Sequence, residues 1–133
     1  MIIADANVIS YLVIDGTFTS LAEQVAGKDP DWRAPRLWHS EVLNVLSGYV
    51  RRGELSMEEA LSALEDAHSA VGGQVPTDDA AVLQLVSISR CSSYDCEYVA
   101  AAQTLRVMLV TEDKQLLRSF PGVAISMRDF VSP

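Results

Sequence analysis

Val107-Met108-Leu109-Val110-Thr111-Glu112-Asp113 is the stretch that decides the fold. Four consecutive apolar residues describe a strand covered on both faces, as in a parallel sheet layered between helices. The polar Thr111-Glu112-Asp113 marks the strand's carboxyl end, and residues 113–119 then read as a short helix. The N-terminus has the same form. Residues 1–6 make a short apolar strand that reaches Asp5. Residues 7–14 carry Val8, Ile9, Leu12 and Val13 at helical spacing before Asp15-Gly16 interrupts them.

Between these two units, helices and short strands alternate. Residues 20–26 predict a short helix, with Ser20 and Glu23 at capping-box spacing, and residues 32–34 a strand stopped by Pro35. Residues 36–52 give the clearest helix. Trp38, Val42, Val45, Leu46 and Tyr49 share one face, Arg51 and Arg52 suit the C-terminal dipole, and Gly53 ends it. Ser56-Met57-Glu58-Glu59 opens a second long helix through a capping box. Its apolar stripe is Met57, Leu61, Leu64 and Val71, Gly72-Gly73 is its stop, and Gln74-Val75 reads as a strand. Residues 78–90 and 92–106 predict two more helices. The second contains Val99-Ala100-Ala101-Ala102, small enough to lie close against a sheet. Residues 123–125 predict a last strand. This alternation gives an α/β fold: a mainly parallel sheet with helices on both faces, binding ligands beyond the carboxyl ends of its strands. With no linker or repeat in 133 residues, a single domain spanning 1–133 is expected.

Eighteen acids face ten bases, for a net charge of −8. That balance argues against a passive nucleic-acid binder, which carries a basic stripe, and against docking on an anionic membrane. No apolar run is long enough to span a bilayer, and an acid at the fifth residue does not suit a signal peptide. Cys91 and Cys96 lack the spacing and partners of a zinc site and read as reduced thiols used as small hydrophobes. A cytoplasmic location fits these features.

Four acids stand at element boundaries. Asp5 and Asp113 each follow an apolar strand, where local chemistry would use Asn7 or Thr111 as a helix N-cap. Asp95 stands three residues after Ser92, the reciprocal position of a capping box. Glu41 resists such a reading: it lies along the edge of the Trp38–Val45 stripe, with Asn44 and Gly48 continuing that edge. A carboxylate there is partly desolvated and needs a cation or a partner. Bringing four carboxylates together costs several kcal/mol of repulsion and desolvation unless divalent cations offset it. Oxygen-only donors select Mg²⁺ or Mn²⁺ over zinc.

Four motifs in this order carry a resemblance to a known family. They are Ile3-Ala4-Asp5-Ala6-Asn7; His39-Ser40-Glu41-Val42-Leu43-Asn44; Tyr94-Asp95-Cys96-Glu97-Tyr98-Val99-Ala100-Ala101-Ala102; and Leu109-Val110-Thr111-Glu112-Asp113-Lys114-Gln115-Leu116. The chain resembles the PIN-domain ribonucleases, most of all the VapC-type toxins of type II toxin–antitoxin pairs. The resemblance implies a PIN-like three-layer α/β/α sandwich whose central, mainly parallel sheet has 4–5 short strands. It implies that Asp5, Glu41, Asp95 and Asp113 are the metal-site and catalytic acids, with Asn7, Asn44 and Thr111 as supporting or substrate-orienting residues. The implied cofactor is one or two Mg²⁺ (or Mn²⁺) ions, and the implied activity is metal-dependent endonucleolytic cleavage of RNA phosphodiester bonds. The implied partners are the RNA substrate, a small VapB-like antitoxin and a second copy in a homodimer, with no membrane.

Other readings compete. A housekeeping PIN-domain RNA-processing nuclease would need no antitoxin, and a non-catalytic interaction module could use the same fold. A phosphoacceptor receiver domain fits poorly, because the first strand supplies one acid and Thr111 and Lys114 follow a single strand together. Arg36, Arg90, Lys114 and Arg118 are cations that could meet phosphate, although each reads first as a solvated charge. His39 reads as a boundary or surface residue, His68 as incidental to its helix, and Glu97 as solvent-facing.

Overall fold

A computed structural model describes residues 1–133. The elements follow one another as β1 (Ile2–Ala4), α1 (Ala6–Val13), α2 (Thr19–Lys28), β2 (Trp32–Ala34), α3 (Trp38–Arg51), α4 (Met57–Ala70), β3 (Val71–Gln74), α5 (Asp79–Ser87), α6 (Ser93–Leu105), β4 (Leu109–Val110), α7 (Lys114–Ser119), β5 (Ala124–Ile125) and α8 (Met127–Val131). The strands form one five-stranded sheet in the order β3-β2-β1-β4-β5, and every neighbouring pair is parallel. The architecture is a three-layer α/β/α sandwich.

The layers follow from the handedness of parallel crossovers. From β1 the chain steps to β2 and then β3 in one direction; it then crosses back to β4 and β5 in the other. Right-handed crossovers therefore put α1–α4 on one face and α5–α7 on the other. The packing agrees: α1 meets α2, α3 and α4, whereas α5 packs on α6 and α6 lies on β1 and β4. β1 and β4 are buried throughout, but β4 keeps only Leu109 and Val110 of the expected 107–110 run; Val107 and Met108 lie before it and are partly exposed. Ala100, Ala101 and Ala102 are also buried, and their small side chains let α6 approach both central strands. The direction of the chain reverses between β1 and β4. Their carboxyl ends, bearing Asp5 and Thr111, therefore open the crevice where ligands bind in such sheets.

Three local expectations are corrected. The Ser20–Glu23 capping box does not form, because α2 begins at Thr19 with no side-chain cap on Phe18. Thr19 Oγ1 closes the preceding turn instead, accepting from Gly16 N and donating to Ile14 O at 3.0 Å each. In α4 the buried face is Ala60, Ala63 and Ala67, while Met57 and Leu61 are exposed. Alanines allow α4 to close on α1, so fit rather than hydrophobicity chooses the inner face. Gly72 and Gly73 do not stop the helix as separate residues; they lie within β3, where the Arg33 side chain crosses Gly73. The Ser56–Glu59 capping box is present in full. Gly53 follows α3 at φ +72°, a left-handed conformation that favours glycine.

Candidate active site

Each of the four acids sits at the start of a helix. Asp5 is the N-cap of α1, Glu41 lies in the first turn of α3, Asp95 in the first turn of α6, and Asp113 is the N-cap of α7. In a parallel α/β sheet, helices begin at the carboxyl edge of the strands, so the four starts gather there. Each helix start presents unsatisfied N–H groups and a partial positive charge, which favours a carboxylate. The four acids line one cleft of about 440 Å³ together with Asn7, Ser40, Asn44 and Tyr94.

The capping assignments differ from those expected locally, and the difference matters. Asp5, not Asn7, caps α1, accepting from Ala6 N at 2.8 Å through Oδ1. Asp113, not Thr111, caps α7, accepting from Leu116 N at 2.9 Å. Thr111 is fully buried and ties the two acids together. Its hydroxyl donates to Asp5 Oδ2 at 2.6 Å and accepts from Asp113 N at 3.0 Å. Ser92 Oγ accepts from Asp95 N at 3.1 Å, but the reciprocal bond of a capping box is missing, so the Asp95 carboxylate stays free for the cleft. Glu41 Oε1 accepts from the Tyr98 hydroxyl at 2.7 Å.

None of the four acids forms an ion pair; the chain's salt bridges join the N-terminus to Asp29, Arg33 to Asp31, and Arg52 to Glu54. For Asp5, Glu41 and Asp95 the electrostatic consequence has the same sign. Burial raises the Asp5 carboxyl to about 7, against bonds from Thr111 and Ala6 that lower it and with added repulsion from Glu41 and Asp95. Burial also raises Glu41, which Tyr98 partly offsets and Asp95 and Glu97 reinforce. Asp95 is raised by burial and by Asp113. Asn7 Oδ1 is buried without a hydrogen-bond partner.

This donor set suits a hard divalent cation: oxygen only, excess negative charge, no competing base and an orphaned acceptor. No three of the carboxylates close on a common point in the manner of a protein cage. They ring the cleft instead. Mg²⁺ needs no such cage, because it keeps several waters and binds through one or two carboxylates. Asp5, Glu41, Asp95 and Asp113 are the residues that could hold it.

Sequence reasoning missed two contributors. Tyr98 is wholly buried and follows Asp95 by one helical turn, the spacing that puts both on one side of α6. Glu97 is half-buried rather than solvent-facing and adds to the negative field on Glu41. Glu112, which could have crowded the cleft, accepts from Met127 N at 2.8 Å and is engaged at the start of α8. His39 and His68 form an aromatic cluster with Trp38, their rings 5.2 Å apart, and do not line the acid cleft. Cys91 and Cys96 are both free and buried.

Residues 2–121 match the PIN domain, and the chain belongs to that family. Among individual relatives, it is 29% identical over 126 residues to Ribonuclease VapC3 of Pyrobaculum aerophilum, covering 92% of this chain and 96% of that protein. The crystal structure of PAE2754 from Pyrobaculum aerophilum superposes with a TM-score of 0.78 at 21% identity, over 98% of this chain and 92% of the other.

Proposed function

We propose that the chain is a Mg²⁺- or Mn²⁺-dependent endoribonuclease, acting as the toxin of a VapBC-type pair. The observation that carries this reading is the cleft itself: four carboxylates without an ion pair, at the carboxyl edge of a parallel sheet. The name of the Pyrobaculum relative, a VapC ribonuclease, supports RNA as the substrate. Bound there, one or two divalent ions would supply an activated water and charge stabilisation at the scissile phosphate. The chain's own residues then have distinct tasks. Asp5, Glu41, Asp95 and Asp113 supply the oxygens. Thr111 fixes Asp5 against Asp113, and Asn7 offers its unpartnered oxygen to a water. Asp95, raised by burial and by Asp113 with Ser92 only partly offsetting them, is placed to take a proton. Asn44, on the Glu41 side of the cleft, would help orient the substrate.

Leu43, Met57 and Leu61 are exposed along the groove between α3 and α4, which supports a protein partner: a small antitoxin, with a second copy of the chain elsewhere. No helix is long and apolar enough to cross a membrane. The proposed work is on cytoplasmic RNA.

The test is cleavage of single-stranded and structured RNA by the purified chain with Mg²⁺, Mn²⁺ or EDTA. Cleavage should require the cation and vanish in Glu41→Gln and Asp95→Asn. Undiminished cleavage by those variants would sink the assignment. A small reading frame should adjoin the gene, and co-expression with its product should yield a complex that suppresses cleavage; without such a frame or complex, a housekeeping nuclease becomes the better reading.

A further inference from the structure

A second cavity, of about 450 Å³, adjoins the acid cleft and shares Leu37, Ser40 and Tyr94 with it. Its remaining wall includes Arg36, Gln74 and Glu97. Tyr94 is 63% exposed, unlike the buried Tyr98 on the same helix. Its ring packs on no other aromatic side chain, and its hydroxyl makes no hydrogen bond within the chain. Nothing in the fold requires a large aromatic ring at this position. Arg36 is exposed and has no carboxylate within ion-pairing distance, although Glu97 lines the same cavity. An open aromatic face, next to Asp95 on α6, and an unpaired guanidinium, just before α3, thus line one cavity.

These are the two groups that a nucleotide uses. A base stacks on an aromatic face, and a phosphate accepts hydrogen bonds from a guanidinium. The volume falls within the roughly 300–1,000 Å³ of small-ligand pockets. Glu97 repels phosphate and so biases the backbone toward Arg36 and the base toward Tyr94. We infer that this cavity holds the nucleotide next to the scissile phosphate, its base stacked on Tyr94 and its phosphate met by Arg36. Unpaired RNA is then the preferred substrate class, because in an A-form duplex the base faces are covered by stacking. The inference rests on the nuclease reading of the adjoining cleft.

The test uses a short single-stranded RNA carrying 2-aminopurine, bound with Mg²⁺ to the Asp95→Asn chain so that nothing is cut. Binding should quench the fluorophore. Adding Tyr94→Ala should abolish the quench and weaken binding about tenfold, the size of one base–aromatic stack. Tyr94→Phe should keep both. Arg36→Ala should weaken binding and lower the slope of affinity against salt by about one phosphate contact. In the chain with all four acids, Tyr94→Ala should lower kcat/KM on unpaired RNA by a similar factor. A fully paired RNA of the same sequence should bind at least tenfold more weakly. If Tyr94→Ala matches its parent in quench and affinity, or duplex binds as well as single strand, the subsite is overturned while metal-dependent cleavage stands. If Tyr94-dependent quenching appears but the chain with all four acids cuts no RNA in the presence of Mg²⁺ or Mn²⁺, the nucleotide site stands and the nuclease reading falls.

Discussion

The Tyr98 hydroxyl donates to Glu41 Oε1 at 2.7 Å, joining α6 to α3 across 57 residues of sequence. Tyr98 is wholly enclosed, so it has no freedom to leave that bond, and burial with the neighbouring Glu41 charge holds its own proton firmly. Glu41 is therefore aimed by a residue that never reaches the cleft. Tyr98→Phe keeps the packing and removes only the donor. Expected outcomes are a stability loss of about 1–2 kcal/mol in denaturant unfolding and Mn²⁺ binding weakened about tenfold by calorimetry. Unchanged Mn²⁺ affinity would show that Glu41 needs no such anchor.

Asp5 makes the metal-free chain sensitive to pH. Its carboxyl ionises at about 7 in the fold against 3.8 for the unperturbed group. Between those values the folded chain retains a proton that the unfolded chain has lost. Its contribution is thus most favourable below pH 4, declines as pH rises, and levels off above 7. The displacement corresponds to about 4 kcal/mol as an upper bound. Unfolding measured without metal from pH 5 to 8 should show falling stability, and Asp5→Asn should flatten the decline. Mg²⁺ added at pH 8 should restore stability to the parent chain and leave the Asn variant little changed.

Thr111→Val tests the link between the two strand ends. Valine fills the same buried volume but neither donates to Asp5 Oδ2 nor accepts from Asp113 N. Two groups lose partners, and a cost of about 2–3 kcal/mol is expected in urea unfolding. Cation-induced stabilisation should shrink in parallel. A variant as stable as its parent would mean that water replaces the hydroxyl.

Gly53→Ala separates backbone from site. No atom lies within reach of a Cβ there, so the cost is conformational only, from φ +72°. About 1 kcal/mol of destabilisation is expected, with RNA cleavage at the parent rate when assayed well below the melting temperature. A larger loss would indicate that the α3–α4 connection carries a contact beyond its backbone turn.

The parallel sheet was legible because its central strands are apolar without interruption, as burial on both faces demands; residues 2–4 and 109–110 announce this in the sequence. The four acids were legible because each interrupts an element boundary, and their shared cleft follows from strand order. Inner faces built from alanine were not legible. In α4, residues 60, 63 and 67 make contact by being small, while larger apolar neighbours remain outside. Capping was also misread where two polar residues compete for one helix end. Asp113 takes the N-cap position of α7, while the Thr111 hydroxyl accepts from Asp113 N and donates its proton to Asp5, more than a hundred residues earlier. Side-chain links such as Tyr98–Glu41 depend on how helices meet across the cleft, which local periodicity does not encode.

The pairing of β1 with β4 has a consequence in time as well as space. Asp5 is synthesised more than a hundred residues before its partners, yet its N–H donates to Val110 O and its carboxylate waits for Thr111. Chains emerge in order, and a contact of that span cannot form until its later half exists. A partly translated chain thus lacks an assembled cleft, however well its early helices have folded. On the proposed reading, the enzyme cannot be armed before residues 110–113 have emerged to complete the cleft.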